Sequence, residues 1–290
     1  MQSPEPSIDR WQIAWQTRAR HFAAEVAFVR PSRTLAVSLT GDQCALQCAH
    51  CGRHYLKHMA SIEEANGTDS SSCLISGGCD ALGRVPVTSH LAQVAALRTS
   101  RRLNWHVGMI GEEEMQAIAP YVDVISFDFV GDTGTIREVY GLDYTVDNYV
   151  QTYAMLRRYA RVIPHLTLGL RGGQFSGEYQ ALYTLQRLGL DALVVLVLIP
   201  TAGTRYADCH PPALEEVAGF LLEARQNLPD TPIYLGCMRP GGLYRRRLDE
   251  LALRAGVNKI VNPTSSAVWL AEELGLSARW EYECCVIGMG

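Results

Sequence analysis

"TLAVSLTGDQCALQCAHC", residues 34–51, joins a short apolar, β-branched run to a loop that carries three cysteines. The run reads as a strand. The loop leaving it spaces Cys44, Cys48 and Cys51 as C-x3-C-x2-C. Beyond it, runs of the same kind alternate with helical patterns at 73–78, 103–108, 122–130, 161–170, 192–200, 232–238 and 258–263. Eight evenly spaced strand–helix units over about 240 residues predict an α/β chain folded as a (β/α)8 barrel. An open, doubly wound sheet is the alternative, and the even spacing disfavours it. In a barrel of this kind chemistry gathers at the C-terminal ends of the strands, where the cysteine loop emerges.

An amphipathic pattern before the first strand predicts a helix over 9–28. Residues 1–30 then form an N-terminal extension, 31–276 the barrel and 277–290 a tail. "RWEYECCVIGMG" (279–290) has no helix of its own and is expected to fold over the active face. The composition is 48% hydrophobic and 19% charged with a net charge of −4, which gives no reason to expect nucleic acid or an anionic membrane as partner. The longest apolar run, "ALVVLVLIP" (192–200), suits a buried strand rather than a membrane span. The opening residues lack the basic-then-apolar pattern of a leader. Nine cysteines in such a chain imply reduced thiols, a cytoplasmic setting, and metal or redox chemistry.

Three thiolates at this spacing suit three irons of a [4Fe–4S] cluster and leave the fourth iron open to another ligand. Nine cysteines placed at random give roughly 0.01 such triplets. A zinc ion completed by His50, His54 or His58 is the competing reading.

C-x3-C-x2-C in the first strand–helix loop of a barrel resembles the radical S-adenosylmethionine (SAM) enzymes. The resemblance implies that SAM chelates the open iron through its amino and carboxylate groups and is split to a 5′-deoxyadenosyl radical. His50 stands where the family usually has an aromatic residue. "LISGGCD" (74–80) is similar to the family's glycine pair, so Gly77 and Gly78 are expected to meet the SAM amine. Cys79 and Asp80 follow where an acidic residue is usual. "LTLGLRGGQFSGE" (166–178) resembles the segment around ribose and methionine, and Arg171 within it is a candidate for the SAM carboxylate or for a surface ion pair. "VLIPTAGTRYAD" (197–208) is similar to a biotin-synthase segment, which assigns adenine to Ile199 and Pro200. Asp128, a charge within the apolar "VISFDFVG", is a candidate for ribose or substrate contact. His106 is read as a core histidine or an active-face group.

Cys79, Cys237, Cys284 and Cys285 are candidate ligands of an auxiliary Fe–S cluster, with one of the last two expected to ligate, or else packing residues. Cys73 is assigned to packing, and Cys209 to a bystander role. Arg239 is a candidate ligand or cation beside that cluster. A second cluster suggests sulfur insertion, and the chain resembles one component of two-protein lipoyl synthases. That resemblance implies a sulfurtransferase of lipoate biosynthesis, an octanoylated carrier protein or peptide as substrate, a second radical SAM protein as partner, and an electron donor. Phe127, Phe129, Leu168 and Leu170 would line an apolar slot for the acyl chain or serve the core. Biotin-synthase-like, methylornithine-synthase-like and hydrogenase-maturation-like chemistry are the alternatives, and a zinc-binding scaffold is a further one.

Overall fold

The computed structural model describes residues 7–287. Its strands are β1 (Glu25–Val29), β2 (Thr34–Ser38), β3 (Ser72–Ser76), β4 (Arg102–His106), β5 (Val124–Asp128), β6 (Val162–Leu168), β7 (Leu193–Val197), β8 (Ile233–Leu235), β9 (Lys259–Val261) and β10 (Ser277–Glu281). All pair in parallel, in the order β10-β1-β9-β8-β7-β6-β5-β4-β3-β2. The sheet curls until its ends meet. The Arg33 N–H donates to the Tyr282 carbonyl (2.8 Å), and the Cys284 N–H to the Thr34 hydroxyl (2.6 Å).

All eight expected strands are present, and two more flank them. The predicted helix over 9–28 is shorter, Ile8–His21. The chain turns extended at Phe22, and "EVAFV" forms β1 between β9 and β10, with Val26, Ala27, Phe28 and Val29 buried. A continuous apolar run of four, Val26–Val29, suits a strand covered on both faces better than a helix end. Residues 277–281 supply β10, so both flanking segments contribute strands to the same sheet.

The described part of the tail, 277–287, does not cover the active face; the expectation for 288–290 lies outside the described residues. Past β10 the tail meets the N-terminal ends of the strands. Cys284 bonds Thr34, the first residue of β2; Glu283 pairs with Arg102, the first of β4, and accepts from the Ser71 hydroxyl (2.6 Å). Cys285, Val286 and Ile287 pack on Val124, Ile163, Ala192 and Val194 and close this floor of the barrel. Burial against this apolar part of the inner wall removes those three side chains from water.

The polarity of the rest of that wall follows from strand alternation. Leu103, Trp105, Ile125, Phe127, Leu166 and Leu168 point outward into the core shared with the helices. Asn104, His106, Ser126, Asp128 and His165 alternate with them and face the inside; Ser126 donates to the Asn104 side-chain oxygen (3.0 Å) and the two histidine rings lie 5.4 Å apart. Among the described residues no helix is long and apolar enough to cross a membrane.

Candidate active site at the barrel mouth

The cysteine loop leaves β2 at the C-terminal end of the sheet and is tied on three sides by its backbone. Ala45 N–H donates to the Cys79 carbonyl (2.7 Å), Ala49 N–H to the Val139 carbonyl (2.7 Å), and Tyr206 N–H to the Ala49 carbonyl (3.1 Å). Side chains add to this. Thr40 accepts from the Gly78 N–H (2.7 Å) while its hydroxyl donates to the Gln43 carbonyl (2.9 Å). The short helix His54–His58 brings the Tyr55 hydroxyl to Thr201 (3.2 Å), whose own hydroxyl donates to the Ile199 carbonyl (3.0 Å). The loop therefore inherits its position from β3, from the 136–140 helical turn and from the segment after β7.

Cys44, Cys48 and Cys51 are half-buried. Burial, then the neighbouring Cys51 and Cys44 sulfurs, push the Cys48 thiol up to about 12, so the three sulfurs lie within electrostatic reach of one another. They are not gathered on a single point: among the described residues no three His, Cys, Asp or Glu side chains are placed to hold one metal ion.

Glycine is required at position 78. A Cβ there would lie 1.9 Å from the Gln43 carbonyl oxygen and 2.6 Å from Cys44 Cβ. At Gly77 it would lie 3.2 Å from the Thr40 hydroxyl. The two glycines let β3 press its end directly against the cysteine loop.

A cavity of about 200 Å³ opens inward from there, with Cys48, Cys79, Gly77, His106, Ser126 and Asp128 in its wall. Asp128 ends β5 with its side chain accessible to this hollow. Burial lowers the pKa of His165 to about 4; burial also lowers that of His106, and the Asp128 charge opposes the shift in both. His165 donates from Nδ1 to the Ile163 carbonyl (3.1 Å), which leaves Nε2 as an acceptor. His50 packs edge-on against Tyr140 (5.7 Å), with a buried Nδ1 that has no partner. Burial lowers its pKa to about 4.

The rim is held by ion pairs. Arg171 bonds Glu138 (2.6 Å) and lies 3.9 Å from Asp132; Tyr206 donates to Glu138 (2.7 Å). The Tyr206 bond first and Arg171 second hold the Glu138 carboxyl below its usual range. Glu178, buried, accepts from the N–H groups of Gly169 (2.9 Å), Ser176 (2.6 Å) and Gly177 (2.9 Å) and so shapes the 166–178 loop. Ile199 and Pro200 sit half-buried after β7.

The expected auxiliary ligands divide between the two ends of the barrel. Cys79 stands at the mouth: its N–H donates to Cys44 Sγ (3.3 Å), and burial, then Cys44 and Cys48, push its thiol up to about 12. Cys237 follows β8 at the C-terminal ends of the strands, where the Met238 carbonyl accepts from the Val197 N–H (2.9 Å), whereas Cys284 and Cys285 lie at the floor. Burial first, then the Cys284 charge, raise the Cys237 thiol. Cys284 accepts from Asn104 Nδ2 (3.5 Å) and from Cys285, which favours thiolate on Cys284 and thiol on Cys285. Arg239 is not free to join them. Its three nitrogens bond Asp249 (2.9 Å) and the carbonyls of Gly236 (2.6 Å) and Asn262 (3.2 Å), fully buried. Cys73 packs in the outer core, and Cys209 donates to the Tyr206 carbonyl (3.1 Å).

Phe127, Phe129, Leu168 and Leu170 belong to the outer core, where Phe127 and Phe129 stack on Tyr149 and Tyr153; of the four, Phe127 also borders the hollow. Sequence reasoning missed Ser126, Tyr140, Tyr149 and Glu178. Ser126 was within reach, two residues before Asp128 on the same face of β5.

No family model matches the chain, and no curated protein does. Solved structures do. Methylornithine synthase superposes with a TM-score of 0.66 at 14% identity, covering 94% of this chain and 90% of that one. The FeFe-hydrogenase maturase HydG from Carboxydothermus hydrogenoformans gives 0.69 at 13% identity, covering 95% and 73%. Streptococcus suis SuiB bound to S-adenosylmethionine gives 0.51 at 12% identity, covering 86% and 61%. These likenesses define the fold: a parallel, curled α/β barrel.

Proposed function

We propose that this chain is a radical SAM enzyme. The observation that carries the reading is the clamped loop that holds Cys44, Cys48 and Cys51 at the strand ends, with Gly78 in contact beside it. When bound there, a [4Fe–4S] cluster with SAM supplies a 5′-deoxyadenosyl radical that abstracts hydrogen from substrate. The chain's own part is placement. Gly77 and Gly78 let backbone approach the SAM amine; Asp128 accepts from ribose or substrate hydroxyls; Ile199 and Pro200 offer the adenine edge. His106 and His165, held neutral by burial, act as acceptors. Arg171 braces the rim through Glu138 and Asp132 rather than holding the SAM carboxylate.

The finer reading is sulfur insertion at an unactivated carbon, as in one component of a two-protein lipoyl synthase. The electrostatic interaction of Cys237, past the C-terminal end of β8, with Cys284 supports it: two thiols within reach of each other are the start of an auxiliary ligand set. A carrier-borne octanoyl chain, a second radical SAM protein and an electron donor are the partners this implies. The polar inner wall favours a second reading, hydrogen abstraction from a small polar substrate without sulfur transfer.

Anaerobic reconstitution with iron and sulfide separates the two. About eight irons per chain and thiolation of an octanoyl-lysyl peptide support sulfur insertion; about four, with deoxyadenosine formed only on a polar substrate, supports the second. Colourless protein that leaves SAM intact under a strong reductant refutes both.

A further inference from the structure

Two residues follow the glycine pair, and the structure gives them different work. Asp80 is consumed by its own turn: it accepts from the N–H groups of Leu82 (2.8 Å) and Arg84 (3.0 Å) and from Arg84 Nε (2.9 Å). Cys79 turns the other way. Its backbone is bonded in both directions to the cysteine loop, through Ala45 N–H and Cys44 Sγ, and it lines the same cavity as Cys48. The Gly78 contact presses it there, since no side chain separates β3 from Gln43 and Cys44. Four thiols, not three, therefore stand at the mouth.

We propose that Cys79 is a displaceable fourth ligand, which closes the iron left open by Cys44, Cys48 and Cys51 until SAM arrives. The inference rests on the cluster reading above. Exchange changes no oxidation state. The Cys79 Sγ–iron bond breaks, the thiolate takes a proton from water, and the SAM amine nitrogen and carboxylate oxygen fill the iron. Cys79 then acts as a guard, since an iron with a labile ligand is the first lost to oxidants.

The test compares full-length wild type with Cys79→Ala and the near-isosteric Cys79→Ser, each reconstituted anaerobically and treated with ferricyanide before SAM is added. Wild type is expected to keep its iron, whereas Cys79→Ala loses one iron per cluster and develops the paramagnetic resonance signal of a three-iron cluster. SAM binding by calorimetry should be about tenfold tighter in Cys79→Ala, the factor expected when the closed form holds about nine-tenths of the resting population. Cys79→Ser reports whether loss of fold, rather than of the ligand, explains a poorly loaded alanine variant. Equal iron loss and equal SAM affinity in wild type and both variants, all loaded and all cleaving SAM, overturn the guard role alone. Failure of wild type to take up any cluster overturns the reading it rests on.

Discussion

The mouth and the floor of this barrel both gather cysteines, and they are built by different means. At the mouth, backbone hydrogen bonds and a glycine contact hold the thiols on a loop. At the floor, a buried ion pair and an apolar plug hold them: Lys259 bonds Glu281 (2.7 Å) and the Cys285 carbonyl (3.0 Å), under Val286 and Ile287. Backbone ties fix a loop while leaving its side chains free to bind something else. Side-chain ties use up the groups they employ. The mouth is thus the end equipped for an exchangeable ligand, and the floor the end equipped for a permanent one.

The widest separation between the ends should appear on deleting thiols. Cys48→Ala is expected to abolish iron-dependent colour and SAM cleavage, whereas Cys284→Ala leaves SAM cleavage intact and, if sulfur is inserted, removes thiolation alone; equal loss of cleavage in both would erase the distinction. Next comes the floor ion pair. Lys259→Met removes one of the two cations on the buried Glu281 carboxylate and leaves Arg279 as its partner; it should cost about 3 kcal/mol in denaturant unfolding, with recovery in the Lys259→Met/Glu281→Leu double variant. Acid comes third. The folded barrel holds His165 neutral down to about pH 4. The unfolded chain protonates it below about 6.5, so the unfolded state binds more protons and stability rises with pH across that window. The loss at pH 4 relative to neutrality should be about 3 kcal/mol, and His165→Asn should flatten the profile. Smallest is the glycine contact: Gly78→Ala should cost about 1–3 kcal/mol by overpacking and lower iron uptake with it. Gly275→Ala, strained at φ 72° but with open space around it, should leave iron uptake unchanged.

Much of the fold was legible because parallel strands covered on both faces read as short apolar runs, and "TLAVSLT" or "ALVVLVLIP" have few other readings. The two added strands, β1 and β10, were not. "EVAFV" continues a helical pattern in sequence, and only the gap between β9 and β10 makes it a strand. The cysteine triplet was legible as a spacing, and so was the glycine pair. What sequence could not supply was which cysteines approach one another: Cys79 and Cys237 both follow strands, yet one stands against Cys44 and the other lies within electrostatic reach of Cys284. Nor could it tell Arg239, fully consumed by Asp249 and two carbonyls, from an available ligand.

The placement of β1 carries a kinetic consequence. Its neighbours on both sides, β9 and β10, lie more than two hundred residues further along the chain. An emerging polypeptide therefore keeps Val26 and Phe28 without their sheet partners through nearly the whole of its synthesis. Closure of the ring becomes a late, long-range event that slows acquisition of the native state and leaves an exposed strand edge for chaperones to shield in the meantime.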